Sequence, residues 1–198
     1  MRYGRNHKAE TRARIVDIAA ARFRRDGVNG VGIQSLMADA GLTHGGFYAH
    51  FPSKDHLVAE AVRAGFEQTA AFLARMVAEA APAERFRAFL DAYLSEQHRA
   101  HMERGCVGAA LAPELARMGP AVKAGFKAGL LRIVDLIADI LPDGGTPDAR
   151  RDRALTIFAM LMGAVQLART VDDPDLAAAA LAGAREQALS AAAMPWGR

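Results

Sequence analysis

Apolar and polar residues near the N-terminus follow the pattern of two short helices joined by a tight turn. Four apolar residues recur at spacings of three and four, on one face of a first helix: Ile33, Leu36, Met37 and Ala40. Gly41 follows them and can adopt the left-handed conformation that ends many helices. A second helical segment begins near Thr43, whose hydroxyl can serve as its N-cap. The pattern indicates a helix-turn-helix motif between residues 33 and 54.

Helical periodicity continues through the rest of the chain, interrupted by short segments rich in glycine, proline or aspartate. The pattern indicates no strand, so we predict an all-α fold. The predicted helices cover residues 8–26, 33–40, 44–51, 54–80, 82–104, 107–118, 122–141, 155–167 and 175–193. We expect a domain boundary near residue 55, with a three-helix domain in residues 1–55 and a larger helical domain in residues 56–198.

The composition, with 52% hydrophobic and 24% charged residues, is that of a globular protein that can bury a core. The sequence contains no long uncharged apolar run, and its basic N-terminus lacks the apolar segment of a signal peptide. We therefore expect a cytoplasmic protein that does not interact with a membrane. Cys106 is the single cysteine, which excludes an internal disulfide framework.

Positive charge is concentrated at the N-terminal end, although the net charge is only +3. Eight basic residues fall within residues 1–25: Arg2, Arg5, Lys8, Arg12, Arg14, Arg22, Arg24 and Arg25. This distribution favours a polyanionic partner, and a solvated helix face is the alternative. Arg2, Arg5 and Lys8 fit either a basic arm toward DNA or a disordered basic tail.

The segment GLTHGGFYAHFPSKDHL, residues 41–57, closely resembles the DNA-binding signature of TetR/AcrR-type transcriptional regulators. The resemblance implies an N-terminal helix-turn-helix DNA-binding domain followed by a ligand-binding and dimerisation domain. It also implies a homodimer that binds a palindromic operator in double-stranded DNA, most often as a repressor, and is released by a small-molecule effector. We predict no catalytic residue, no metal and no cofactor.

Positions of this signature carry the predicted DNA contacts. Thr43 and His44 match positions that face the major groove, where their side chains can donate to or accept from base edges. Three more residues match positions that hold phosphates: Tyr48, His50 and Lys54. Gly45 and Gly46 have no side chains, so we expect them to let the second helix lie close to the groove floor.

Neighbouring residues have predicted structural or phosphate-binding roles. Phe47 and Phe51, at positions i and i+4, are expected to hold the second helix against the first helix of the chain. The family usually has serine or threonine at the start of the preceding helix, whereas this chain has Gly32. We expect Gln34 to take over the phosphate contact that such a hydroxyl makes.

The second half of the chain contains the residues of a predicted small-molecule pocket between helices. They are Phe89, Tyr93, Met102, Cys106, Phe126, Met160 and Gln166. Packing in the core is the alternative for each of them. The dimer surface is expected in the last two helices, where small residues allow close approach: Gly163, Ala164, Ala168 and residues 177–180.

Cys106 follows Arg104-Gly105 at the predicted start of a helix, where backbone N–H groups and Arg104 favour a reactive thiolate. A Gly-Cys pair in a similar place occurs in a subgroup of the regulators that the chain resembles, some of which respond to electrophiles or oxidants. A buried, inert thiol is the alternative. His98, His101, Glu103 and Cys106 could form a metal site, but the dense charge around them is typical of a solvated helix end.

Two rival classes of function are an enzyme and an architectural DNA-binding protein. The sequence has no Ser-His-Asp spacing, no phosphate-binding glycine loop and no HExxH motif, which argues against an enzyme. An architectural protein would bind DNA without an effector and therefore needs no pocket.

Overall fold

The computed structural model describes the backbone of residues 2–196 and the side chains of residues 7–196. All regular structure in this part of the chain is helical, which confirms the all-α fold. The α-helices are α1 (Arg2–Asp26), α2 (Ile33–Asp39), α3 (Lys54–Glu79), α4 (Arg85–Tyr93), α5 (Glu96–Ala100), α6 (Val107–Leu115), α7 (Pro120–Ile140), α8 (Pro147–Thr170) and α9 (Pro174–Ala193). Three 3-10 helices accompany them: His44–Ala49, Pro82–Glu84 and Met102–Arg104. None of the described helices is both long enough and apolar enough to cross a membrane.

Helix α1 begins at Arg2, earlier than the predicted start at residue 8. Its backbone is therefore helical where a basic arm or tail was considered, and the side chains of Arg2 and Arg5 lie outside the described residues. Gly27 ends the helix with a φ of 75°, and its N–H donates to the Phe23 carbonyl at 2.9 Å. A positive φ is accessible to glycine without steric cost, so the helix ends where the sequence predicts.

The helix predicted over residues 82–104 is divided into a 3-10 turn, α4 and α5. The break occurs because Ser95 starts a new helix, its hydroxyl accepting a hydrogen bond from the His98 N–H at 3.1 Å. Tyr93 and Gln97 keep a helical spacing of four residues across the break. The helical periodicity of the sequence therefore does not reveal the break between α4 and α5.

Helix α8 begins at Pro147, well before the apolar run 155–167 from which it was predicted. The Thr146 hydroxyl caps it by accepting a hydrogen bond from the Ala149 N–H at 3.2 Å. Proline suits the first turn of a helix because it has no N–H to leave unpaired. The first turns carry several arginines and so lack the apolar pattern that marked the rest of the helix.

The described residues form two compact units. The first unit contains residues 2–67 and 102–129, and it therefore includes α1, α2 and α6. Within it, α3 and α7 approach closely at Gly129, where an added Cβ would lie 2.3 Å from the Phe66 ring. Phe66 also meets Phe126 edge to face, with 5.3 Å between ring centroids. Glycine at position 129 is thus required by packing.

The second unit contains residues 68–101 and 130–196. Its interior includes an aromatic cluster in which the Tyr93 ring stacks on Phe89 and meets Phe158 edge to face, at centroid distances of 6.0 and 5.5 Å. Helices α8 and α9 pack against each other, and small buried residues such as Ala168 and Ala188 line their inner faces. Their small side chains allow the two helices to approach closely.

Candidate nucleic-acid interface

The turn after α2 has the hydrogen bonds of a Schellman motif. Ala40 caps α2, and Gly41 follows with a φ of 71°. The Gly41 N–H donates to the Ala38 carbonyl at 2.9 Å, and the Leu42 N–H donates to the Met37 carbonyl at 2.8 Å. The predicted role of Gly41 is confirmed, because this motif needs a residue with positive φ.

The recognition segment, defined here as the 3-10 helix His44–Ala49 with its N-cap Thr43, presents polar side chains to solvent. Thr43 and His44 are exposed, and 63% of the Tyr48 surface is accessible. A Cβ added at Gly45 would meet no atom within 4 Å. Packing within the described protein therefore does not require glycine at position 45, and its predicted role at the DNA groove stays a prediction.

The recognition segment adopts 3-10 geometry where an α-helix was expected. Gly45 and Gly46 each lower helix propensity by about 1 kcal/mol relative to alanine, and a short segment cannot compensate for this loss. The side-chain cap predicted for Thr43 is also wrong, since its hydroxyl makes no capping hydrogen bond. Its backbone carbonyl accepts from the Gly46 N–H at 3.1 Å instead. The exposed hydroxyl is thereby available to an outside partner.

Two buried phenylalanines attach the recognition segment to the first unit. Phe47 and Phe51 are fully buried, with 5.6 Å between ring centroids. The Arg12 guanidinium of α1 lies over the Phe51 ring, 4.7 Å from its centroid. Arg12 also forms a bidentate ion pair with Glu60 of α3. These contacts join α1, α3 and the recognition segment and confirm the predicted anchoring role.

The two exposed rings of the recognition segment touch each other. His44 and Tyr48 meet edge to face at a centroid distance of 6.4 Å, and Tyr48 also packs edge to face against buried Phe47 at 5.3 Å. Each contact orients the next ring relative to the protein interior. Removal of the Tyr48 hydroxyl alone would leave both ring contacts in place.

His50 is half-buried at the end of the recognition segment, and its carbonyl accepts a hydrogen bond from Arg12 Nε at 3.4 Å. Burial lowers the pKa of its imidazole below the ordinary value of 6.5, and the positive charges of Lys8 and Arg12 lower it further. Its buried Nδ1 has no hydrogen-bond partner among the described residues. The imidazole is therefore mostly neutral at pH 7 in the protein without DNA.

Lys54 makes a contact inside the protein. Its ammonium group donates to the Val28 carbonyl at 2.6 Å, and its side chain is half-buried. An ammonium group has three donors, so the phosphate contact predicted for Lys54 stays compatible with this bond. Ser53 caps α3 as predicted, since its hydroxyl accepts from the His56 N–H at 3.3 Å.

The start of α2 has glycine where the family usually has serine or threonine, as noted in the sequence. Gly32 occupies the N-cap position in an extended conformation, without a side-chain capping bond. The Ser35 hydroxyl donates back to the Gly32 carbonyl at 2.9 Å. Gln34 is exposed in the first turn, where its predicted phosphate contact stays a prediction.

Several arginines of the basic N-terminal end have partners inside the protein. Arg22 pairs with Asp26 and Asp39, and Arg24 is only 4% exposed. Burial lowers the pKa of Arg24 to about 10, so its charge persists at neutral pH. Lys8, by contrast, is exposed. The basic run therefore has a larger structural role than its distribution along the sequence indicated.

The predicted pocket residues are distributed over both compact units. The first unit contains Met102, Cys106 and Phe126, and the second contains Phe89, Tyr93, Met160 and Gln166. Phe89 and Tyr93 are fully buried. Their stacking shows that they contribute to the core, and a role in ligand binding stays a prediction for all seven residues.

Cys106 is fully buried at the N-cap of α6. Arg104 is the positive charge that the sequence predicts beside the Cys106 thiol, and its side chain is exposed. The structure brings Arg24 of α1 to this place: its Nη1 donates to the Gly105 carbonyl, directly before Cys106, at 3.0 Å. The sequence gives no signal for this pairing, because the two residues belong to distant segments.

No group of three or more His, Cys, Asp or Glu side chains within the described residues could hold a metal ion. His98, His101, Glu103 and Cys106 therefore do not assemble as metal ligands in this part of the chain.

The predicted dimer face needs correction at two residues. Ala168 and Ala177 are 0% and 3% exposed, because they lie within the second unit, so they cannot belong to its outer face. Gly163 is exposed, and a Cβ added there would meet no atom within 4 Å. Leu155 and Leu167 of α8 are also exposed, by 43% and 47%. The exposed side of α8 thus includes two leucines and a glycine at which another helix can approach.

Two family models match the sequence. Residues 15–61 match the model of bacterial regulatory proteins of the tetR family. Residues 82–182 match the model of the C-terminal domain of LmrA/YxaF-like transcriptional regulators, which spans half of the chain. No curated protein sequence matches the chain.

Solved structures with the same fold extend over nearly the whole chain. A TetR transcriptional regulator from Chloroflexus aurantiacus is 26% identical, with a TM-score of 0.74 and coverage of 91% of this chain and 95% of its own. Reduced NemR from Escherichia coli is 19% identical, with a TM-score of 0.74 and coverage of 89% and 96%. FadR from Bacillus subtilis, in complex with stearoyl-CoA, is 16% identical, with a TM-score of 0.67 and coverage of 90% and 98%.

The matched N-terminal model contains the helix-turn-helix and the recognition segment, and the matched C-terminal model contains most of the remaining helices. The chain therefore belongs to the TetR family of bacterial transcriptional regulators.

Proposed function

We propose that the chain is a repressor whose homodimer binds a palindromic operator and is released by a small molecule or by modification of Cys106. The observation that carries the proposal is the recognition segment, in which Thr43, His44 and Tyr48 are exposed while Phe47 beneath them is fully buried. DNA reading is assigned to residues 1–55, and effector response and dimerisation to residues 56–198. A regulator that acts on chromosomal DNA functions in the cytoplasm.

Base reading is assigned to Thr43 and His44, since a hydroxyl and an imidazole can each donate to or accept from a base edge. Phosphate contacts are assigned to four further residues: Gln34, Tyr48, His50 and Lys54. Gly45 and the adjacent Gly46 let the backbone approach the groove, in agreement with the open space in front of Gly45.

Dimerisation is assigned to the outer faces of α8 and α9. Leu155, Gly163 and Leu167 lie along the exposed side of α8, and Leu176 and Gly183 along that of α9. Exposed leucines favour burial against a partner, and glycines without neighbours allow another helix to approach. A two-fold interface uses the same patch on both subunits, which suits a palindromic operator.

Release by a small molecule is supported by the fold. FadR shares this fold and was solved in complex with stearoyl-CoA. The predicted pocket residues supply apolar and aromatic contacts with a few polar groups, as small-molecule sites usually do. Thermal stabilisation by members of a ligand panel tests this part of the proposal, because a ligand that binds only the folded state raises its melting temperature. An architectural DNA-binding protein would respond to none of the panel.

Release through Cys106 is the second route. NemR, solved in a reduced form, shares this fold. Arg24 lies beside Cys106, since its Nη1 donates to the Gly105 carbonyl at 3.0 Å. The thiolate is the form of cysteine that reacts with electrophiles and oxidants. Because the thiol is fully buried, reaction requires a local opening of the segment around α6. Cys106→Ser should leave DNA binding intact and abolish release by a mild electrophile; unchanged release would exclude this route.

A further inference from the structure

We infer that Glu114 of α6 is a positioning residue that holds the turn between α1 and α2 in the conformation needed for DNA binding. The inference rests on the proposed function and adds to it a specific link between α6 and the helix-turn-helix. Glu114 lies within the C-terminal family model, whereas the turn that it contacts lies within the N-terminal one.

The Glu114 carboxylate accepts two hydrogen bonds from the backbone of this turn. Its Oε2 atom accepts from the Val28 N–H at 2.9 Å and from the Asn29 N–H at 3.2 Å. Hydrogen bonds to an ionised carboxylate are stronger than those between neutral groups. The turn thus depends on a side chain that is 86 residues away from Val28 in the sequence.

The turn is shaped to receive the carboxylate. A Cβ added at Gly27 would lie 2.8 Å from Glu114 Oε1, so the end of the Glu114 side chain would have to shift. Gly27 also has a φ of 75°, a backbone conformation that favours glycine. On the other side of the same turn, Lys54 at the start of α3 donates to the Val28 carbonyl at 2.6 Å. One peptide segment is therefore held by an acidic residue from α6 and a basic residue from α3.

The N-terminal end of α6 is also attached to α1 and α3. Arg24 of α1 donates to the Gly105 carbonyl just before α6, at 3.0 Å. Val107, the first residue of α6, lies so close to α3 that a Cβ added at Gly65 would be 2.5 Å from its Cγ2 atom. Both ends of α6 therefore contact the elements that support the recognition segment, and Cys106 and Glu114 stand at these two ends.

This arrangement gives a physical link between α6 and DNA binding. Any displacement of α6 moves the Glu114 carboxylate away from Val28 and Asn29 and leaves two backbone N–H groups without their acceptor. The start of α2 follows directly from this turn, so α2 and the recognition segment lose a fixed position. The shift in population is set by the difference in energy between the held and the released turn.

Two variants and a control test the inference. Glu114→Ala removes the acceptor, Glu114→Gln keeps a neutral oxygen at the same position, and Glu79→Ala removes an exposed glutamate from α3. Amide hydrogen exchange is measured at Val28 and Asn29. Affinity is measured for the duplex that the wild-type protein selects from a random-sequence pool.

We expect faster exchange at Val28 and Asn29 in Glu114→Ala, together with a loss of affinity of about tenfold. Glu114→Gln should lie between Glu114→Ala and the wild type, and Glu79→Ala should match the wild type. Unchanged exchange at the two amides, or wild-type affinity in Glu114→Ala, would overturn the inference. If amide exchange becomes faster in every helix of Glu114→Ala, the variant has not folded correctly. In that case exchange at Val28 and Asn29 and the affinity for DNA are judged in Glu114→Gln instead.

The proposed function and the inference about Glu114 can be tested separately. If the wild-type protein selects no duplex, the proposed function fails, and exchange at Val28 and Asn29 still decides whether Glu114 holds the turn. If the wild-type protein selects a duplex and Glu114→Ala binds it equally well, only the inference about Glu114 fails.

Discussion

At the scale of single residues, the recognition segment separates side chains that can read bases from side chains that can hold the backbone. His44 and Tyr48 touch each other, yet only the Tyr48 ring also packs against the buried Phe47. The ring of Tyr48 thus has a structural role within the protein, and its hydroxyl is the group available to DNA.

Tyr48→Phe and His44→Ala are expected to affect DNA binding in different ways. Tyr48→Phe removes the hydroxyl that we propose donates to a phosphate, so affinity should fall by about 1 kcal/mol on every duplex while base preference is retained. His44→Ala should relax the preference at one or two base pairs by about 1–3 kcal/mol. Affinities for a set of duplexes with single base-pair changes measure both effects. A change of base preference in Tyr48→Phe alone would reverse the two roles.

The glycines of the two turns provide a test of backbone conformation. Gly41 and Gly27 both have positive φ, so alanine at either position should cost about 1–2 kcal/mol. Gly27→Ala should cost more than Gly41→Ala, because only at Gly27 would the new Cβ meet the Glu114 carboxylate, at 2.8 Å. The free energy of unfolding from urea titration measures both. Equal costs would mean that the carboxylate moves aside freely.

We expect His50 to make the stability of the first unit depend on pH. Its pKa in the folded protein lies below the ordinary value of 6.5, so the unfolded chain binds the proton more strongly. Protonation of His50 therefore has no effect on the free energy of unfolding well above pH 6.5. It lowers that free energy as the pH falls through 6.5. We expect the free energy of unfolding to fall less between about pH 7.5 and about pH 5.5 in His50→Gln than in the wild type. An identical fall in both proteins would contradict the assignment.

At the scale of elements, the sequence predicted best where several local signals agree. The turn after α2 combines helical periodicity with a glycine at the position that requires positive φ, and the structure has the expected turn there. The recognition segment was expected as an α-helix from its spacing, but Gly45 and Gly46 weaken that tendency and a 3-10 helix forms. Spacing describes which faces are apolar, and it does not measure helix stability.

Other elements were misjudged because one signal concealed another. The Ser95 cap divides a helix whose apolar spacing continues across the break, and the arginines at the start of α8 hide its first turns. The positive charge near the N-terminus favours a polyanionic partner or a solvated helix face, and the sequence does not show that Arg12 and Arg24 also bind partners far away in the chain. Contacts of this kind, including those of Glu114, leave no local pattern in a single sequence.

At the scale of the whole molecule, the proposed function depends on two recognition segments acting together. Thr43 and His44 can read only a few base pairs in one half-site, so specificity must also come from the spacing between two half-sites. In helix-turn-helix dimers this spacing is roughly 34–36 Å, one turn of the DNA helix. We propose that the exposed leucines and glycines of α8 and α9 form the surface through which two copies of the chain associate.

The measurement that tests this account most directly is selection of duplexes from a random-sequence pool, by the wild-type protein and by Leu167→Arg. A charge in place of an exposed leucine on α8 should weaken dimerisation without disturbing the recognition segment. We expect the wild-type protein to select an inverted repeat with half-sites one helical turn apart, and Leu167→Arg to bind it much more weakly. Selection of no common sequence, or of a single unrepeated site bound equally well by both proteins, would contradict it.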